Sequence, residues 1–200
     1  MAKYTLIPET AFQDIQLNAG ILLESFDVSK PTVKASDIIG ATSGGVNITA
    51  TPSFTDFGED IDNCPANMME LKRLESWEIK ASGTFVTVTV KLGKLLAGVA
   101  DISDTAIKFR NDVSTTDFQD LWWVGDYSDK NGDENGGFVA VHLSNVLSTG
   151  GFQIQSTTKA KGTFEFEFTA HYSMADQTKV PIEVYIVDGA DETSTVSETE

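Results

Sequence analysis

The residues able to do chemistry are few and widely separated. His142 and His171 are the only histidines, Cys64 is the only cysteine, and carboxylates are abundant. Nucleophilic or acid–base catalysis needs a base held within reach of a nucleophile. Both histidines fall in strand-like alternations, where a surface or lightly buried structural role is the plainer reading. Cys64 precedes Pro65 in a loop-like stretch with nothing to activate its thiol. As a single cysteine it supplies neither an internal disulfide nor a cysteine-rich metal site. Glu165 and Glu167 share one face of a predicted strand, about 6.5 Å apart by strand geometry, a separation a glycosidase pair could use. Nothing else in the chain suggests a sugar cleft, so solvated face charges account for them better. Residues 129–135 have superficial calcium-ligand spacing. An EF-hand loop requires glycine and glutamate where this chain has Glu134 and Ala140. Three glycine pairs, Gly44-Gly45, Gly136-Gly137 and Gly150-Gly151, lack the lysine and spacing of a phosphate loop and read as turns. The sequence predicts no enzyme, no cofactor and no resident metal.

The elements that would position these groups are mostly strands. From 163 to 172 apolar and polar residues alternate. Phe164, Phe166, Phe168, Ala170 and Tyr172 point one way, and Thr163, Glu165, Glu167, Thr169 and His171 the other. That is a half-buried strand, because a strand buried on both faces would not carry a row of glutamates. A second run follows, with Val180, Ile182, Val184 and Ile186 against Pro181, Glu183, Tyr185 and Val187. The two are expected to be antiparallel neighbours closing a sheet, one face dry and one wet.

Upstream, residues 1–34 carry an apolar burst, Ile21-Leu22-Leu23, that suits either a core edge strand or an arm lying on a neighbouring molecule. Val46, Ile48 and Ala50 alternate in a short strand that Pro52 should end if it is central. Residues 54–63 expose Phe54 and Phe57 beside Asp56, Glu59, Asp60 and Asp62. They read as a surface loop or as an aromatic-anchored loop docking on another subunit. Residues 65–75 read as a short helix or an extended link. Trp77, Ile79 and Ala81 resume a strand, Gly83 marks a bulge or turn, and 84–90 is β-branched and strand-like. Leu92, Leu95, Leu96 and Val99 predict an amphipathic helix of about three turns, weakened by Gly93 and Gly98. Leu121, Trp122, Trp123 and Val124 form a compact apolar strand, and burial worth roughly 1.5 to 3 kcal/mol per large aromatic argues against both tryptophans idling on the surface. Residues 138–146 and 152–155 predict further strands, and 189–200 is an acidic tail. Many short strands, one short helix and no βαβ rhythm point to a mainly β fold, a β-sandwich or partly closed barrel over residues 35–188.

Acidic residues outnumber basic ones by 30 to 14, for a net charge of −16. That balance argues against attraction to a nucleic-acid backbone. The first nineteen residues lack the basic and apolar segments of a signal peptide, and no run approaches the roughly 18 apolar residues that span a bilayer. Synthesis in the cytoplasm without membrane insertion is the expectation.

Three blocks resemble the major tail tube protein of long-tailed bacteriophages and prophages of Gram-positive hosts. The first is Gly40-Ala41-Thr42-Ser43-Gly44-Gly45 with Ala50-Thr51-Pro52 and Asp56-Phe57-Gly58-Glu59-Asp60-Ile61-Asp62-Asn63. The second is Trp77-Glu78-Ile79-Lys80 with Ser82-Gly83-Thr84. The third joins Gly150-Gly151-Phe152, residues 164–172 and Val180-Pro181-Ile182-Glu183-Val184-Tyr185-Ile186. The resemblance implies a β-sandwich with a flanking helix, assembled in hexameric rings whose sheets join an inter-subunit β-barrel around a lumen. Rings would stack into a virion tail tube, bridged by a long loop (about 52–65 here) and by terminal arms. Partners would be further copies, a tail-tip or baseplate initiator, a tape measure and a tail terminator, with DNA passing through unbound. On this reading Glu165, Glu167 and Glu183 are the candidate lumen residues. Phe54, Asp56, Phe57, Glu59, Asp60 and Asp62 are the candidate inter-ring loop. A capsid decoration protein and a carbohydrate-binding sandwich with Trp77, Trp122 or Trp123 as its stacking platform are the alternatives.

Overall fold

Three phenylalanines two residues apart set the inner face of the strand on which the rest is built. In the computed structural model, which describes residues 15–127 and 137–188, that strand is Phe164–Ala170. Phe164, Phe166, Phe168 and Ala170 are buried, whereas Glu165 and Glu167 point away from the core. Phe166 packs 4.6 Å from Phe85 and 4.9 Å from Phe168, centroid to centroid. Each such side chain contributes roughly 1.5 to 3 kcal/mol by leaving water.

In chain order the elements are β1 (Gln16–Leu23), β2 (Thr42–Asp56), β3 (Lys72–Phe85), α1 (Val90–Ala97), β4 (Ala100–Ser103), β5 (Ala106–Phe109), β6 (Gln119–Tyr127), β7 (Gly137–Ser148), β8 (Phe164–Ala170) and β9 (Ile182–Val187). The fold is mainly β with one flanking helix. A single antiparallel sheet runs in the order β1-β6-β7-β8-β3-β2, and β4 and β5 form a separate hairpin. β1 and β2 stand at opposite ends of that path, yet they touch each other. Leu22 of β1 also shares one core with Phe85, Ile79 and Leu143, so the sheet curls over its own apolar face. Among the described residues no hydrogen-bonded pair joins β1 to β2. A smaller core on the other face gathers Leu23, Val124, Phe138 and Ala140 under Phe26 and Val28.

Several expectations change. β8 and β9 do not pair with each other. Both lie along one side of the longer β7, β9 opposite Phe138 to Leu143 and β8 opposite Val146 to Ser148. Asn145, with φ of 51°, interrupts β7 between the two partners. In β9 it is Tyr185 and Val187 that pack inward on the smaller core, while Val184 and Ile186 are exposed. Tyr172 lies beyond β8, where its hydroxyl accepts the Trp77 N–H at 3.0 Å. Residues 152–155 form no strand beyond an isolated bridge from Gln155 to Thr163.

β2 does not stop at Pro52. It continues to Asp56 because β2 is an edge. Pro52 stands opposite Trp77, whose N–H points away to Tyr172, so the pair exchanges no backbone bonds and proline's missing donor falls on the open side. Gly83 makes no bulge in β3, whose register with β8 is unbroken. A Cβ there would sit 2.8 Å from the Phe166 ring and 3.0 Å from the Gly45 carbonyl oxygen. The bulge is on β2, where Gly44 and Gly45 both take φ of 83° and register slips between Thr42 and Val46.

β3 ends at Phe85, not at Val90. Thr89 instead caps α1, its hydroxyl accepting the Leu92 N–H at 3.1 Å. The helix is two turns, not three. Gly98, with φ of 70°, terminates it, and Gly93 lets it approach β5, since a Cβ there would lie 2.4 Å from Ile107. No helix of the described residues is long and apolar enough to cross a membrane.

Candidate functional site

The solvated face of the β2-β3-β8 sheet is where the two central candidate carboxylates lie. Register fixes its composition: Asn47 faces Ser82 and then Glu167, Thr49 faces Lys80 and then Thr169, Thr51 faces Glu78, and Thr84 faces Glu165. Two-residue periodicity puts all of them opposite the phenylalanine side. Thr149 donates its hydroxyl to Glu167 Oε1 at 3.1 Å. Lys80 is the single cation in this patch, and its Nζ lies 2.7 Å from Glu78 Oε1. The hydrogen bond and charge of Glu78, with Glu167 further off, raise the Lys80 ammonium above the ordinary lysine value. Glu165 and Glu167 flank an open depression of about 350 Å³ lined also by Ser82, Thr84, Gly150 and Gln153. The patch therefore offers three carboxylates, one already-paired ammonium and a field of hydroxyls. Such a surface holds water and repels polyanions.

Glu183 does not join this pair. It stands on β9 opposite His142, seven residues before Thr149, which lies just past the end of β7. Its Oε2 accepts the Tyr185 hydroxyl at 2.5 Å, and its Oε1 lies 2.9 Å from Lys179 Nζ. These two hydrogen bonds, Tyr185 first, hold the Glu183 carboxyl below the usual glutamate range. His142 stacks on Trp122 at 4.2 Å and 17°, with Nε2 3.2 Å from Asp120 Oδ2. Tyr185 covers the same indole 5.9 Å away. His171 places Nδ1 3.2 Å from the Asn145 carbonyl and its ring edge-on to Phe118. Both histidines fasten neighbouring segments to one another.

The second candidate surface is an arm. β8 covers β3 only from Phe85 to Ile79, and from there β3 runs on to Lys72 with β2 as its partner. Seven further residues extend about 24 Å at strand rise. Of the predicted loop residues, Phe54 and Asp56 belong to β2, while Phe57, Glu59, Asp60 and Asp62 form the turn beyond it. Asp56 organises that turn, Oδ1 accepting the Gly58 N–H at 2.9 Å and Oδ2 the Asn67 N–H at 3.0 Å. The Lys72 ammonium lies 5.9 Å above the Phe54 ring. Phe54 and Phe57 remain 54% and 53% exposed, and Ile61, Met69 and Leu74 are exposed with them. Cys64 sits at the turn with Sγ 3.6 Å from Met68 Sδ.

The tryptophans are all half-buried. Trp123 lies over Gly20 and Gly125, whose absent Cβ atoms would clash with the indole, and donates Nε1–H to the Ala19 carbonyl at 3.1 Å. Trp77 packs on the main core. None presents the open stacking platform of a sugar site.

Two features escaped the sequence reading. One is the β4–β5 hairpin, signalled only by Ile102 and Ile107 across a turn at Asp104. The other is a buried pin, in which Arg110 Nη2 donates to Asp117 Oδ1 at 2.5 Å and Ser114 N–H donates to Asp117 Oδ2 at 2.8 Å. Its signal was Ser114 three residues before an acid, a capping-box spacing. Residues 129–135 lie outside the described residues. Among the described residues no group of three or more histidine, cysteine, aspartate or glutamate side chains could hold a metal ion. No protein-family model matches the chain, and no curated protein matches it.

Proposed function

We propose that the protein is a structural subunit of a DNA-conducting tube, the part played by major tail tube proteins in long-tailed bacteriophages. In this reading the curled sheet is the tube-type β-sandwich. Six copies form a ring whose solvated sheets join an inner β-barrel, and rings stack through the β2–β3 arm. An initiator starts the stack, a tape measure occupies it and a terminator closes it.

The observation that carries the reading is the solvated face of β3 and β8. It presents Glu78, Glu165 and Glu167 against one lysine that is already ion-paired. A tube wall must let duplex DNA slide. Each unpaired lysine or arginine that neutralises a phosphate releases counterions and adds affinity, so a wall without free cations is the low-friction choice. The arm supports the reading independently: exposed apolar side chains on a two-stranded extension suit a surface that another copy covers. Glu183, the third candidate lumen residue, lies apart from this pair with its carboxylate engaged by Tyr185 and Lys179, so the reading rests on Glu165 and Glu167.

Negative-stain electron microscopy of the purified protein, alone at high concentration and then with a tail-tip initiator complex, tests this. Stacked rings with a central channel are expected. Monomers that persist with the initiator present would overturn the tube. Regular binding to capsids instead would place the protein as a capsid decoration subunit.

A further inference from the structure

Two exposed turns at opposite ends of the sheet carry opposite charge. The turn beyond β2, residues 57–63, exposes Glu59, Asp60 and Asp62, and no cation occurs between Lys34 and Lys72. Its counterpart spans residues 155–163. Gln155 and Thr163 exchange two backbone hydrogen bonds of 2.9 Å, and the loop they close exposes Lys159 and Lys161. No acid occurs from residue 137 to residue 164. In a chain of net charge −16 such a stretch is the exception. Among the described residues no hydrogen bond or ion pair engages these five side chains.

Apolar groups accompany both turns. Phe57 and Ile61 are exposed beside the acids, and Phe152 and Ile154 are exposed just before the basic loop. The two surfaces cannot meet within one molecule. Asp56 pairs with Lys72 at one end of β3, and Phe85 pairs with Phe164 at the other. Those ends lie roughly 40 Å apart at strand rise. The acidic turn lies past the first end. Thr149 and Gly150 donate to the Glu167 carbonyl and Gln155 then pairs with Thr163, so the chain follows β8 to its start and carries the lysines past the second end.

We propose that the acidic turn of one copy docks on the basic loop of the next, a head-to-tail contact between copies of this chain. It rests on the reading of the arm as an interface between copies, and names the surface that the arm meets. Phe57 and Ile61 lie against Phe152 and Ile154 at the centre, and the carboxylates and ammonium groups form the rim. Such a rim steers encounter and fixes register more than it adds affinity. Because the two patches differ, each joined pair still offers one free turn and one free loop, and growth continues along the strand direction.

Charge exchange tests it by sedimentation of the full-length protein at high concentration. Lys159→Glu with Lys161→Glu makes both turns acidic, and Glu59→Lys with Asp60→Lys and Asp62→Lys makes both basic. The parent should associate, less so in about 0.5 M salt. Each variant alone should need at least about a tenfold higher concentration. An equal mixture of the two should recover the parent's association, because every junction then joins unlike charges. Asp60→Lys and Lys159→Glu, single reversals mixed in the same way, keep the test available if a multiple variant does not fold. Variants that associate like the parent, or a mixture that stays dissociated, would overturn the contact. So would a parent that remains monomeric on its own. The tube reading fails separately, when monomers persist with the initiator present.

Discussion

β3 lives in two environments along fourteen residues. From Ile79 to Phe85 it is paired on both sides, and its inward residues Ile79, Ala81 and Phe85 are fully buried. From Lys72 to Trp77 it is paired only with β2, and its side chains Arg73, Leu74 and Glu75 are exposed. The pairing with β2 is antiparallel in both halves, with a register slip between Ser53 and Phe54 in the exposed one, and the larger difference lies in what flanks the strand and what its side chains meet. A strand can be a core element at one end and an exposed two-stranded extension at the other. The first half fixes the fold, and the second half leaves its side chains exposed.

The contrast gives a graded set of outcomes. Phe168→Ala, at a position with no exposure, should lower unfolding free energy by about 3–5 kcal/mol in urea titrations. A small loss there would mean that the supposed core is loosely packed. Gly83→Val should cost about 1–3 kcal/mol, because its first carbon already meets Phe166 and Gly45. A neutral result would show that β2 can separate from β3 even in the buried half.

Asp117→Asn reports on the pin below α1 through pH. The Ser114 N–H, then the Arg110 guanidinium, hold the Asp117 carboxyl below the usual aspartate range. Its folded pKa is depressed, so its contribution is fully present above the unfolded value of about 4 and is lost as pH falls through the folded value. The variant should therefore have a lower urea midpoint than the parent near neutrality, with the gap closing in acid. A gap that does not change with pH would remove the charge from the explanation.

In the projecting half, Phe54→Ser with Phe57→Ser should leave the isolated chain within about 0.5 kcal/mol of the parent while reducing assembled material in sedimentation. A loss well beyond that in the monomer would make the arm part of the fold. Smallest of all for the monomer, Glu165→Lys with Glu167→Lys should leave melting and tube formation unchanged but slow or block DNA ejection. Unchanged ejection kinetics would remove these residues from the lumen.

The legible parts of the sequence were those governed by local periodicity. The alternation through Phe164, Phe166 and Phe168 specified β8 and its solvated glutamates, and Trp122 and Trp123 each found a packed site on opposite faces of β6. Pairing was not legible. Nothing local says that β8 and β9 share a side of β7, because that depends on Asn145 and on the length of β7. Nor does β-branching distinguish a strand from an extended capping segment. Val86 and Thr87 look like β3, but Thr89 is committed to the helix N-terminus. The candidate site followed the same division. Glu165 and Glu167 lie together because they belong to one strand, whereas Glu183 was separated from them by a pairing that parity could not reveal.

Pro52 gives the open side of β2 a further property. A fifteen-residue edge strand would ordinarily recruit any extended peptide it met, in a crowded cell as readily as in a test tube. At Pro52 the outward donor is missing, and eight residues earlier Gly44 and Gly45 break the register. An incoming strand could keep an uninterrupted ladder only between these two faults. Fibre-like growth along β2 is therefore interrupted at two points, near its start and four residues before its end.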